Sequence, residues 1–312
     1  MQFIRGIHNI RLQDHGCVLT IGNFDGVHLG HTRVISALVK KAKVLNCPAA
    51  VMVFEPQPWE LFSPESAPAR LTRLRDKYNL LKKLGVDRLI CINFNRQFAS
   101  LSADEFIEKL LVARLGIKHL IIGDDFRFGK DRLGDFSLLT KASKMFDFGL
   151  SDTASYKLAD CRISSTEIRK ALENDQLETA AEMLGRQYSI IGRVVHGDKR
   201  GRQLGFPTAN VLLKRRVSPV SGVYVVKVIQ TNNSEENVFF GVANVGSRPT
   251  VAGTRQQLEV HIFDFNGNLY GHAIEVILLK KLRNEQRFDS LAALTQQITL
   301  DSASAKQYLQ EN

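Results

Sequence analysis

Near residue 187 the hydrophobic period of this 312-residue chain changes. Ahead of that point the apolar runs 17–21, 49–54, 88–92 and 119–122 alternate with stretches of helical spacing such as 71–84 and 103–115. Beyond it the runs 188–196, 223–230, 238–245, 258–265 and 274–279 follow one another with no helix between them. Alternation predicts a parallel sheet with helices on both faces, whereas consecutive strands predict an antiparallel sheet that closes into a small barrel. The chain reads as two domains, 1–186 and 187–312, with length enough for each to bury a core. Asn266-Gly267 predicts a tight hairpin between two of the later strands. Leu291, Leu294, Ile298, Ala303 and Tyr308 mark a final helical segment, interrupted near Asp301.

Composition removes several function classes. Apolar residues make up 44% and charged residues 24%, the balance of a soluble globular protein. No run of about 18 uncharged apolar residues occurs, so no membrane partner is expected. The amino terminus lacks the apolar core of a secretion signal, which predicts a cytoplasmic location. Cys17, Cys47, Cys91 and Cys161 are scattered and read as core thiols rather than a metal or disulfide set. The formal charge of +10 raises the question of nucleic acid. From Gln187 onward 15 Lys and Arg face 10 Asp and Glu, so both halves share the excess. With no basic tail, zinc finger or aromatic RNA-binding signature, no nucleic-acid partner is expected.

The stretch Gly22-Asn23-Phe24-Asp25-Gly26-Val27-His28-Leu29-Gly30-His31 joins a buried strand to a helix. Free backbone N–H groups and the positive end of the helix dipole make such a start an anion site. His28 and His31, three residues apart, face the same way and add N–H donors suited to phosphate oxygens. A zinc site would need further Cys or His ligands, and none is near.

Other loops fall at strand ends. Glu55-Pro56-Gln57-Pro58-Trp59 forces a turn at the carboxyl end of 49–54. The segment 123–135 is rich in glycine, Asp and Arg. It is no Walker loop, because its spacing is one residue too long and Asp131 stands where Ser or Thr is required. Arg162-Ile-Ser164-Ser165-Thr166-Glu167-Ile-Arg169 opens a helix, either as a capping box or as a hydroxyl-rich phosphate site with Arg partners. In the second half, 197–210 spaces Gly197, Gly201 and Gly205 among basic residues, including Arg202, so that backbone N–H groups can close around phosphates; a flexible basic hairpin is the plain alternative. Thr208 and Asn210 offer oxygens of the kind Mg²⁺ accepts beside a nucleotide. Strand alternation puts Glu259 on the face opposite Leu258 and Val260, where an exposed carboxylate is the ordinary outcome.

Five of these segments, GNFDGVHLGH, the 123–135 loop, SSTEIR, GRQLGFPTAN and the stretch around Glu259, resemble in order those of the bacterial bifunctional riboflavin kinase/FMN adenylyltransferases. The resemblance implies a Rossmann-like HxGH nucleotidyltransferase domain followed by a flavokinase barrel. ATP would serve both steps, riboflavin becoming FMN and FMN becoming FAD, for flavin-requiring apoproteins as recipients. Gly22, Phe24, Asp25, Gly30, Asp125, Arg162, Ser164, Ser165, Thr166 and Arg169 would contact nucleotide in the first half, with His28 and His31 acting on the phosphates. Gly197, Gly201, Arg202 and Gly205 would contact nucleotide in the second. Phe126, Arg283 and Phe288 would contact flavin, Thr208 and Asn210 would hold Mg²⁺, and Glu259 would be the general base. The family often carries a histidine between the two prolines, where this chain has Gln57. The rival reading is a single-activity nucleotidyltransferase of another acceptor, with a barrel that only binds.

Overall fold

All four residues of Val18–Ile21 are buried, as a central parallel strand requires. This is β2 of a six-stranded sheet of β1 (Gln2–Arg5), β2, β3 (Ala49–Glu55), β4 (Arg88–Asn93), β5 (His119–Gly123) and β6 (Gly149–Thr153). The computed structural model describes residues 1–123, 125–153, 157–158, 161–197, 205–213, 216–232, 235–250 and 253–312. Every neighbour in the sheet pairs in parallel, in the order β1-β4-β3-β2-β5-β6. The chain steps outward from β2 through β3 to β4, then returns to the other side of β2 at β5. The space beyond the carboxyl ends of β2 and β5 is therefore the switch point where open α/β sheets hold ligands.

Helices α1 (Leu29–Val44), α2 (Pro58–Phe62), α3 (Leu74–Lys83), α4 (Arg96–Ala99), α5 (Ala103–Glu105, continued as a π-helix over Phe106–Arg114) and α6 (Phe136–Met145) complete the layers. Alternate strand residues part to opposite faces. Leu19, Ile21, Met52, Ile90 and Leu120 pack with Phe106, Leu111 and Leu139. Val18, Val51, Val53, Leu89 and Ile121 pack with Ile35, Leu38 and Leu81. Cys17 and Cys91 are free thiols in this core, and burial pushes Cys17 up to about 12.

A short ribbon of β7 (Lys157–Leu158) and β8 (Cys161–Arg162) precedes α7 (Ser165–Glu173) and α8 (Leu177–Leu184). The chain divides into two compact units, one of Met1–Pro68 with Thr72–Ser165, the other of Ala69–Leu71 with Thr166–Asn312. Thus α8 and nearly all of α7 group with the second unit, ahead of Arg186. An ion pair of 2.7 Å between Asp175 and Lys281 ties their turn to the strands that follow.

In the second unit β9 (Ser189–Val195), β10 (Ala209–Leu212), β11 (Gly222–Asn232), β12 (Glu235–Thr250), β13 (Gly253–Ile262) and β14 (Ala273–Arg283) form a closed antiparallel barrel. Tyr224, Val226, Ala243, Val245, Leu258 and Val260 fill its interior and are fully buried. Val223, Val225 and Val242 face outward and are covered by Ala305, Tyr308 and Leu309 of α9 (Leu291–Glu311). Two expectations are corrected. The barrel order β10-β13-β12-β11-β14-β9 keeps β13 and β14 apart, so Asn266-Gly267 lies in a crossover loop and closes no hairpin. Nor does α9 break at Asp301, whose buried carboxylate accepts from Arg283 Nε at 3.0 Å and Nη2 at 2.8 Å.

Candidate active sites

The loop from β2 to α1 is held in an uncommon conformation. Phe24, Gly26 and Val27 have φ of 46°, 84° and 43°, and for a β-branched residue such as Val27 this is strain that the surroundings must impose. Asp25 supplies the hold. Its buried Oδ1 accepts from the Thr72 N–H at 3.0 Å and the Thr72 hydroxyl at 3.2 Å, while Thr72 Oγ1 accepts from the Gly26 N–H at 3.0 Å. The Asp25 carbonyl accepts from the Ser165 hydroxyl at 2.9 Å, which brings Ser165 to the loop. Thr72→Val removes the hydroxyl that donates to Asp25 Oδ1 and accepts from the Gly26 N–H. It should lower unfolding free energy by about 1–3 kcal/mol, read from urea denaturation.

His28 caps α1. Its Nδ1 accepts from the His31 N–H at 3.3 Å, which leaves the ring proton on Nε2. The two rings stack with centroids 3.6 Å apart, and Phe24 lies 4.9 Å from His31. His31 Nδ1 is buried with no hydrogen-bond partner among the described residues. Burial, then the fields of His28 and of buried Lys77, hold its pKa well below the ordinary 6.5. His31 is thus held as the neutral imidazole, which keeps one ring N–H to donate. The unfolded chain takes up a proton at this residue near pH 6.5 while the folded chain does not. Its contribution is therefore complete above that pH and is lost as pH falls toward the folded value. Urea midpoints should drop between pH 7 and pH 5 more steeply for the wild type than for His31→Asn.

Around the same sheet end the rings of Phe62, Phe94, Phe54, Phe98, Phe106, Phe128 and Phe126 touch in succession at 5.3–6.3 Å. Phe126, after β5, stacks on Phe128 at 5.6 Å, and Trp59 and Phe62 of α2 are exposed. Asp125, one residue before Phe126, is exposed. Gln57, at the start of α2, is buried with its Nε2 lacking a partner among the described residues. Gly22 leads the loop and Gly30 lies in the first turn of α1. Ser164 immediately precedes α7, and Thr166 falls in the second unit with Arg169, whose Nε donates to the Ala69 carbonyl. The Arg162 side chain, Gly201 and Arg202 lie outside the described residues.

The barrel brings its candidates together by register. Asn210 of β10 pairs with Glu259 of β13, which on its other side pairs with Asn244 of β12. Gln257 Nε2 donates to Asn210 Oδ1 and to Glu259 Oε1, the latter at 3.2 Å. Since Leu258 and Val260 point inward, this polar row stands on the outer face. His261 Nδ1 donates to the Pro207 carbonyl at 3.0 Å and its ring meets Phe206 edge-on at 5.3 Å, fastening the segment that carries Thr208. Gly197 lies against the Asn210 amide, where any Cβ would collide, and Gly205 has φ of 86°. Nearby, a cavity of about 560 Å³ is lined by Gly197, Pro207, Thr208, Asn210, Asn266 and Tyr270. Arg283 is engaged by Asp301 and lies 5.7 Å over the Phe288 ring, so its guanidinium anchors α9.

The FAD synthetase family matches residues 10–167 and the riboflavin kinase family matches residues 184–309. A bifunctional riboflavin kinase/FMN adenylyltransferase of Escherichia coli K12 is 53% identical over 309 residues, covering 99% of this chain and 98% of that protein. The chain belongs to the bifunctional riboflavin kinase/FMN adenylyltransferase family. Its counterpart in Haemophilus influenzae is 53% identical with 99% of each chain covered, and that in Pseudomonas fluorescens 48% identical with 98% and 97% covered. A crystal structure described as a macrolide-efflux protein from Streptococcus pneumoniae superposes with a TM-score of 0.79 at 31% identity, covering 96% of this chain and 97% of that one. That description concerns transport, yet among the described residues no helix is long and apolar enough to cross a membrane. In this chain, residue patterns alone give no sign that Gln257, Asn244, Lys77 and the aromatic succession stand beside the candidate sites. Strand alternation was the available signal for Gln257, two residues before Glu259. Nothing local marks Lys77, a buried cation on α3.

Proposed function

We propose that the two halves of the chain, divided functionally as 1–186 and 187–312, each carry one of the family's two activities. In the barrel, Glu259 takes the proton from the terminal hydroxyl of riboflavin, whose oxygen attacks the γ-phosphorus of ATP to give FMN and ADP. The observation that carries this reading is the pairing of Asn210 with Glu259 across adjacent strands, which sets a metal-type oxygen beside a base. The donor set suits Mg²⁺, which takes few protein oxygens and completes its shell with phosphates and water. Thr208 and Asn210 would hold it, and when bound it neutralises phosphate charge. Gly197 and Gly205 approach the nucleotide, and Phe288 lies toward the flavin.

In the first half a phosphate oxygen of FMN attacks the α-phosphorus of ATP, forming FAD and releasing pyrophosphate. No covalent intermediate is required. Neutral N–H donors from His28 and His31, the start of α1 and the hydroxyls of Ser164 and Ser165 stabilise the charge that develops. The flavin ring lies against the aromatic succession ending at Phe126. Asp25 serves by fixing the loop. The enzyme acts in the cytoplasm, and FAD passes on to flavin-requiring apoproteins. Incubation of the whole chain with riboflavin, ATP and Mg²⁺, with chromatographic separation of products, should show FMN followed by FAD. Absence of FMN would refute the barrel's role, and FMN without FAD would refute that of the first half.

A further inference from the structure

Beside Glu259 the barrel places a second side-chain acceptor. Asn244 stands across from Glu259 on β12, as Asn210 does on β10, and opposed side chains on one face lie about 5 Å apart at Cβ. Asn244 Nδ2 donates to Glu285 Oε1 at 3.2 Å. A carboxylate only accepts, so Glu285 fixes the amide with nitrogen toward itself and oxygen away. That oxygen, Oδ1, is buried and has no partner among the described residues. Glu285 in turn rests on Gly246, where a Cβ would run into its carboxylate. Buried acceptors in folded proteins are almost always matched by a donor. The row thus presents two acceptors side by side, the Glu259 carboxylate and the Asn244 amide oxygen. A substrate with neighbouring hydroxyls supplies two donors at that spacing.

We propose that Asn244 Oδ1 accepts a hydrogen bond from a hydroxyl of the flavin's polyol side chain, next to the terminal hydroxyl that Glu259 deprotonates. This rests on the kinase reading above. Asn244 is then a substrate-binding residue, and Glu285 and Gly246 position it.

The test uses full-length Asn244→Leu, with riboflavin and analogues each lacking one side-chain hydroxyl. For riboflavin, kcat/KM should fall about tenfold, the worth of one hydrogen bond left unmade. The loss should lie in KM for riboflavin, with KM for ATP unchanged and conversion of supplied FMN to FAD unaffected. For one analogue the wild type should already show that loss, and the substitution should add nothing. A penalty equal on every analogue, or a rise in KM for ATP instead, would overturn the proposal. Gly246→Ala keeps Asn244 but displaces the far end of Glu285, a flexible group, at little cost to folding. It should raise KM for riboflavin about threefold with the same dependence on analogue, and it decides the matter if Asn244→Leu does not fold. A wild type that fails to phosphorylate riboflavin would sink the kinase reading, whereas an active wild type whose variants match it would sink only this inference.

Discussion

Glu259→Gln should leave the protein unable to convert riboflavin to FMN while FMN supplied directly still becomes FAD. Gln matches Glu in size and keeps an oxygen for Gln257 Nε2, which now lies 3.2 Å from Glu259 Oε1. It cannot take a proton. The strand register that sets Asn210 and Asn244 on either side is a backbone property and survives the change. The loss is therefore chemical, about 10²–10⁴ in kcat as for removal of a general base, with KM for ATP little altered. A variant that phosphorylates riboflavin normally would remove Glu259 from the reaction. Parallel loss of both activities would show that the division of labour between the halves is wrong.

The second large effect is the mirror of the first. His28→Asn with His31→Asn should reduce FAD formation by about 10²–10³ or more, the cost of removing donors that meet developing charge. FMN formation should stay within about twofold of wild type. Asn is chosen over Ala because His28 is the cap of α1, accepting from the His31 N–H. A side-chain acceptor at that position stabilises the helix by about 1 kcal/mol, and Asn retains it. Loss of activity in a variant whose helix start is intact then reports on the imidazoles and not on folding. If FAD formation persists, anion binding at this loop rests on backbone N–H groups alone.

The residues that made the fold legible are those whose burial follows from local pattern. The strands β2 to β5 are continuous apolar runs because both of their faces are covered. The edge strands β1 and β6 gave no such run: Phe3 is exposed, and Gly149–Thr153 is half polar. β10 lies hidden inside a motif read for its oxygens, although its four residues set the register on which the proposed kinase site depends. Asn266-Gly267 misled because turn chemistry is decided by neighbours in sequence, while pairing is decided by how the barrel closes. For the candidate sites, the glycine and histidine pattern picks out two loops, but their internal support is not visible in it. Thr72 lies 47 residues from Asp25, and no spacing rule links them. Arg283 shows the converse, since a cation in a suggestive loop is engaged by Asp301, a partner only the folded helix brings near.

Barrel closure also has a consequence for synthesis on the ribosome. β9 pairs with β14, Ile190 against Val276, and with β10, Val195 against Asn210. The kinase half therefore cannot finish folding until the chain has been made through Arg283, whereas every strand of the first sheet has emerged by Thr153. Nascent chains of intermediate length would hold a completed adenylylation sheet trailing an open set of strands with exposed edges. A frameshift or premature stop ahead of β14 would accordingly abolish the kinase half outright and burden the quality-control machinery.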